Sequence, residues 1–143
     1  MNEPRSRGRL TILIVEDAAV VRNLMVGVLA REKYRVLEAD SAAEALEVSD
    51  SFDGAIHLLI TDHTLKTMTG RQVAEKIRQS RPSLNVLHMS GYPIEMVVQE
   101  GGLISGAEFL AKPFLPKDLV EKVNQMLGTP GMGMSGSLLV IEF

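Results

Sequence analysis

Residues 10–17 read LTILIVED and residues 58–62 read LLITD, and these two stretches decide the fold. Each is a short run of Leu, Ile and Val with little alternation. Each ends in acid, Glu16-Asp17 in the first and Asp62 in the second. A strand with one wet face alternates apolar and polar residues, whereas a strand apolar throughout is buried on both faces, as in a parallel sheet covered by helices. Working outward, Leu10–Val15 and Ile56–Thr61 are joined by Tyr34–Glu38, Asn85–Met89 and Ala107–Ala111 as candidate strands.

Helical patterns fill the gaps. Val20, Val21, Leu24, Met25, Val28 and Leu29 recur at steps of three and four, as do Val73, Ala74 and Ile77, and Leu119, Val120, Val123 and Leu127. Ser41 with Glu44 three residues on predicts a capping box opening a helix through Val48. Pro93 and Pro116 suit first helical turns, the former opening a short helix to about Gln99. Gly101-Gly102 and Gly128 suit helix ends because glycine accepts positive φ. Strict strand–helix alternation implies a doubly wound α/β fold, with helices on both faces of a five-stranded parallel sheet. Right-handed crossovers favour the order 2-1-3-4-5, a flavodoxin-like three-layer sandwich. Such sheets bind ligands beyond the carboxyl ends of the strands, between strands 1 and 3. Functional residues should therefore follow Val15 and Thr61.

Composition bounds the rest. The 143 residues carry a net charge of −3 and neither cysteine nor tryptophan. This length suits one domain with an ordinary core. Lack of cysteine excludes a disulfide scaffold, a thiolate zinc site and a cysteine nucleophile, and agrees with a reducing, cytoplasmic setting. The acidic balance gives no case for direct nucleic-acid binding. No stretch approaches the roughly 20 apolar residues of a membrane span, and Leu10–Val15 is too short for an export signal. Residues 1–9, with Arg5, Arg7 and Arg9, read as a solvated, flexible tail, and residues 10–127 as the domain. Residues 128–143 read as a Gly-rich linker followed by an apolar segment, SLLVIEF, with the pattern of a strand.

The strand ends meet the topological demand. Glu16 and Asp17 follow strand 1, Asp62 closes strand 3, Ser90-Gly91 ends strand 4 and Lys112-Pro113 ends strand 5. Carboxylates gathered in this way repel unless a cation joins them. A few oxygen ligands with open positions favour Mg²⁺. Lys112 supplies a point charge for a phosphate oxygen and Ser90 a short hydroxyl donor. A carboxylate nucleophile at such a site would form an aspartyl phosphate.

The stretches LTILIVEDAAVVR, LLITDHTLKTMTG, VLHMSGYP and FLAKPF, in this order, resemble the receiver domains of two-component response regulators, across Leu10–Leu127. The resemblance implies that Asp62 is the phosphoacceptor and that Glu16, Asp17, Asp62 and the Thr64 main-chain carbonyl serve Mg²⁺, with Asp17 the more direct ligand of the acidic pair. Ser90 and Lys112 would stabilise the phosphoryl group. Ser90 and Phe109 would form the switch, and Thr64, Gly91 and Tyr92 would tune access to the site. The phosphodonor would be a phosphohistidine on a histidine kinase or a histidine phosphotransfer domain. A downstream protein would meet the face of helix 4, strand 5 and helix 5, and a homodimer stays open. A cis Lys112–Pro113 peptide bond is expected. The chain would catalyse only its own phosphorylation and dephosphorylation.

One residue departs from the family pattern: Lys66 stands where proline is usual four residues after the acceptor, so the loop to Gly70 is expected to be looser. His63 is read as an exposed loop histidine, His88 as a core histidine, and His57 as a loop residue without a role. An aspartate-nucleophile phosphatase is the alternative enzyme reading, but its second acid would fall at Thr64. A receiver-like binding module that is never phosphorylated would not need Asp17, Asp62 and Lys112 together. The length leaves no room for an output domain, so a stand-alone regulator is expected, or the receiver of a hybrid sensor kinase, toward which MSGYP points.

Overall fold

A computed structural model describes residues 9–128. Strands and helices alternate without exception: β1 (Thr11–Val15), α1 (Ala19–Arg31), β2 (Arg35–Ala39), α2 (Ala42–Ser51), β3 (Leu58–Asp62), α3 (Gly70–Ser80), β4 (Asn85–Ser90), α4 (Ile94–Gln99), β5 (Glu108–Ala111) and α5 (Pro116–Leu127). The strands form one sheet in the order β2-β1-β3-β4-β5, and every neighbouring pair is parallel. This is the expected doubly wound architecture. The sequence readings for residues 1–8 and 129–143, the tail and the SLLVIEF segment, lie outside the described residues.

The apolar runs behave as strands because alternate side chains supply two separate cores. Leu13, Val15, Leu59 and Val86 pack with Ala42 and Ala45 of α2 and with Val73, Ala74 and Ile77 of α3. Ile12, Ile14, Leu58, Ile60, Leu87 and Met89 pack on the opposite face with Met25, Val28 and Leu29 of α1 and with Leu119 and Val123 of α5. β1 and β3 are buried along their whole length, whereas the edge strands β2 and β5 are partly exposed. Helix α1 is apolar on more than its core face. It leaves Val20 84% and Leu24 47% exposed, so the full stripe read from the sequence is not all core.

Local signals account for most boundaries. Ser41 Oγ accepts from the Glu44 amide at 3.1 Å. The Glu44 carboxylate reaches the Asp40 amide rather than that of Ser41, so the box closes one residue early. Helix α2 runs on to Ser51. A reciprocal box that the sequence reading passed over opens α3, where Thr69 and Gln72 each bond the other's amide. Pro116 occupies the first turn of α5, and the Asp118 carboxylate accepts from the Leu115 amide. Pro93 stands just before α4, not inside it. The Lys112–Pro113 peptide bond is cis, as expected.

Register brings the strand ends into line. Val15 is level with Ala39 and Thr61, Asp62 with Met89, and Ser90 with Ala111. The chain returns over this edge at Gly70, whose amide donates to the His63 carbonyl at 2.7 Å. A β-carbon there would stand 2.1 Å from the Asp62 carbonyl oxygen, a backbone atom that cannot step aside. Gly27, in the middle of α1, has nothing within 4 Å of such a carbon. Opposite effects are therefore expected in urea unfolding. Gly70→Ala should destabilise by about 1–3 kcal/mol through overpacking, and Gly27→Ala should stabilise by about 0.5–1 kcal/mol through helix propensity. Equal midpoints for the two variants would contradict this account of Gly70.

Candidate functional site

The carboxyl edge of the sheet gathers the predicted polar residues around one ammonium group. Lys112 Nζ lies 2.6 Å from Glu16 Oε1 and 2.6 Å from Asp62 Oδ1. The backbone holds all three in place. The Glu16 amide bonds the Ala39 carbonyl, the Lys112 amide bonds the Ser90 carbonyl at 2.8 Å, and Asp62 is still within β3. Glu16 is 1% exposed, and its second oxygen accepts from the Ala18 amide at 2.9 Å. Arg22 of α1 donates to the Glu16 carbonyl, fixing the turn that presents Asp17.

Asp17 is exposed, and one carboxylate oxygen from each of Glu16, Asp17 and Asp62 lies within 4.8 Å of the others. A cavity of about 150 Å³ opens beside them, lined by Asp17, Asp62, Thr64, Met89, Ser90, Gly91, Tyr92 and Lys112. Most of the predicted site thus meets in one small recess. Ser90 Oγ accepts from the Tyr92 amide at 2.9 Å, which shapes the turn after β4. Glu16 stands behind the recess with both oxygens engaged. Phe109 is half-buried in β5 opposite His88, and it does not line the recess.

Three carboxylates against one ammonium leave an excess of negative charge, and the site divides it unevenly. Burial alone would raise Glu16, but hydrogen bonds from Lys112 and the Ala18 amide outweigh it and hold Glu16 below the usual carboxylate range. Asp62 is pushed up to about 7, chiefly by burial, with the Glu16 charge adding to it against the pull of Lys112. For Lys112, burial works against the charge, but the bonds to both carboxylates prevail and raise its pKa. A divalent cation suits this donor set, because hard oxygen ligands and surplus negative charge are what Mg²⁺ requires. Asp17 and Asp62, which line the recess in front of the engaged Glu16, are the acids that would hold it, and with it in place the proton on Asp62 would have no hold.

Two expectations about the loop after β3 change. His63 is not exposed but buried, at 1%. The strand pairing continues past Asp62, since the His63 amide donates to the Met89 carbonyl at 2.7 Å, and the ring enters the interior beside His88. Leu59, Thr61 and His63 alternate onto one face, a signal present in the sequence but masked by the polar loop that follows. The loop with Lys66 in place of proline is also better anchored than expected. Thr64 bridges to Thr69 and Leu65 is buried, while Lys66 itself is exposed. His88 is a core histidine as read, and burial pushes it down to about 4. His57 has a structural role: its Nδ1 accepts from the Thr11 amide at 3.0 Å.

A fold with acids after its first and third strands, and lysine after its fifth, has counterparts among known proteins. The family model described as the response regulator receiver domain matches residues 12–124. The chain belongs to this family, the receiver domains of two-component signalling. It is 32% identical over 129 residues to the chemotaxis protein CheY1 of Helicobacter pylori, covering 84% of this chain and 98% of that protein. It is also 32% identical over 120 residues to the sensor kinase CckA of Brucella abortus, covering 84% of this chain but only 13% of the kinase. The crystal structure of the receiver domain from the hybrid histidine kinase CckA superposes with a TM-score of 0.70 at 34% identity, covering 82% of this chain and 98% of that one. The Vibrio cholerae chemotaxis protein CheY4 shares the fold at a TM-score of 0.75 and 23% identity, covering 83% of this chain and 99% of that one.

The raised Asp62 sets a pH dependence. Folded, it keeps its proton to about 7; its ordinary value is 3.8. Folding therefore takes up a proton between these values, and without metal this contribution to stability falls as pH rises through the window. Asp62→Asn removes the titration. In chelator at about pH 8 the variant should be more stable than the native chain by roughly 1–2 kcal/mol, after allowance for the lost pairing with Lys112. The gap should close toward about pH 4. Urea unfolding across this range measures it, and a gap independent of pH would contradict the assignment.

Proposed function

We propose that the chain accepts a phosphoryl group on Asp62 from a phosphohistidine, with Mg²⁺ in the acidic recess, and that the modified state changes the surface formed by α4, β5 and α5. The observation that carries this reading is the Lys112 ammonium shared between Asp62 and buried Glu16, at the mouth of a recess that also presents Asp17, Thr64 and Ser90. In the transfer, the N–P bond of the donor breaks as an Asp62 oxygen bonds to phosphorus, and the imidazole leaves with the electron pair. Mg²⁺, when bound, would supply charge neutralisation on the phosphoryl oxygens and keep Asp62 ionised. Asp17, Asp62 and the Thr64 carbonyl would hold the cation, while Glu16 fixes Lys112. Lys112 then exchanges its bond to Asp62 for one to a phosphoryl oxygen, and the Ser90 hydroxyl turns to donate to another.

The reaction is one event per molecule, a modification of the protein itself and not turnover of a substrate. The donor is a histidine kinase or a histidine phosphotransfer domain. The exposed Val20 and Leu24 at the start of α1 and Leu115 before α5 give such a helical partner an apolar footing close to the recess. Met96 and Val98 on α4 offer the same to a downstream protein or a second copy of the chain. Phe109, in β5, moves with the switch of Ser90. A cytoplasmic setting suits both partners. The chain acts either as a stand-alone regulator or as the receiver part of a hybrid kinase.

Two outcomes test this reading. Incubation with Mg²⁺ and a small acyl phosphate should add one phosphoryl group by intact mass, and Asp62→Ala should add none. An unmodified native chain under every donor, or a modified Asp62→Ala, would refute it. Tyr92 lines the recess and is 53% exposed, and its role in this reading is to restrict water there. Tyr92→Ala should shorten the lifetime of the phosphorylated chain severalfold, and an unchanged decay would remove Tyr92 from the access path.

A further inference from the structure

Helix α4 is lightly anchored, with Val97 as its buried side chain. After it, the chain passes three glycines at positive φ, Gly101 (108°), Gly102 (77°) and Gly106 (78°), a path that other residues would resist. Side chains from β4 and α3 hold this path. Arg71 donates to the Gly101 carbonyl, Arg78 donates to the Ser105 carbonyl at 2.8 Å, and His88 Nε2 accepts from the Ile104 amide at 3.3 Å.

His63 reaches the same segment from the end of β3. Its Nε2 lies 3.7 Å from Glu100 Oε1, at the carboxyl end of α4. The ring is buried and neither nitrogen has a hydrogen-bond partner. A buried donor left unpaired is costly, and 3.7 Å is just outside hydrogen-bond reach, so a small movement of the exposed Glu100 side chain completes the bond in the unloaded protein. The His63 backbone has no such freedom. Its amide donates to the Met89 carbonyl and its carbonyl accepts from Gly70, both at 2.7 Å. The ring therefore travels with the strand end that carries Asp62.

We propose that His63 is a positioning residue that ties the strand end bearing Asp62 to the carboxyl end of α4 through Glu100. Its signalling consequence rests on Asp62 being the phosphoacceptor, whereas the contact itself does not. A shift of residues 62–64 moves the ring against the Glu100 carboxylate, and the glycine path lets the helix end follow at little backbone cost. The coupling is reciprocal, so fixing α4 also biases the acceptor loop. It acts at the carboxyl end of α4, whereas Ser90 precedes the amino end.

Hydrogen exchange of residues 94–106 in the full chain tests the tie. The Gly101 and Gly102 amides bond the Val98 and Val97 carbonyls and report the helix end directly. In the unloaded protein, His63→Leu and Glu100→Ala should each speed exchange there by about three- to tenfold. The double variant should be no faster than either. His63→Gln, which keeps a side-chain N–H, should restore the native rate, which a purely space-filling role would not predict. Loading with Mg²⁺ and beryllium fluoride should then alter 94–106 in the native chain. In His63→Leu and Glu100→Ala it should alter only residues 90–92. Native exchange in unloaded Glu100→Ala, whose side chain is exposed and whose fold is not at risk, overturns the proposal. So does an undiminished loading response at 94–106 in both variants. If Asp62 is not the acceptor site, loading changes nothing anywhere, including at 90–92, and the unloaded comparison still decides the contact.

Discussion

A single ammonium group shared by two buried carboxylates is the constraint on which the functional edge depends. Glu16, just after β1, and Asp62, at the end of β3, are both nearly inaccessible, and each lies 2.6 Å from Lys112 beyond β5. Without Lys112 the two acids would face each other in a medium that strongly favours the neutral form. With it, one carboxylate is held ionised and the other is left near neutrality. That imbalance is chemically useful. In the proposed reaction, a cation that displaced this proton would prepare the nucleophile.

The sheet makes this sharing geometrically unavoidable. Parallel register sets the ends of β1, β3, β4 and β5 level, so residues distant in sequence become neighbours. The apolar runs that fill both cores also end where the acids begin, because a charge deeper between the two cores would be costly to bury. Gly70 completes the arrangement by letting the chain cross the Asp62 carbonyl at a separation that no other residue allows. The fold and the site therefore have one cause. The pattern that buries the strands gathers the acids at one edge.

For this reason, much was legible in the sequence. The alternation of strands and helices, and the acids, serine and lysine at the strand ends, followed from where apolar runs stop, while the family resemblance contributed to the sheet order and supplied Thr64 and Tyr92. What was missed depends on side-chain direction and distance. His63 looked like loop because polar residues surround it, yet strand pairing carries on through its amide and turns the ring inward. Val20 and Leu24 looked like core because helical spacing does not say which of two apolar faces is covered. The Thr69–Gln72 box was overlooked beside the weaker one at Ser41. The uneven titration of Glu16 and Asp62 could not be read at all, since it arises from burial and from one shared cation.

The central claim is that Asp62 becomes an acyl phosphate, and reductive trapping tests it most directly. Borohydride converts an aspartyl phosphate, and no unmodified carboxylate, to homoserine. After loading with Mg²⁺ and a small acyl phosphate, trapping followed by peptide sequencing should find homoserine at position 62 in the LLITD stretch. Homoserine at another position, or a phosphoryl group that resists borohydride and survives acid as a phosphoester would, contradicts the account.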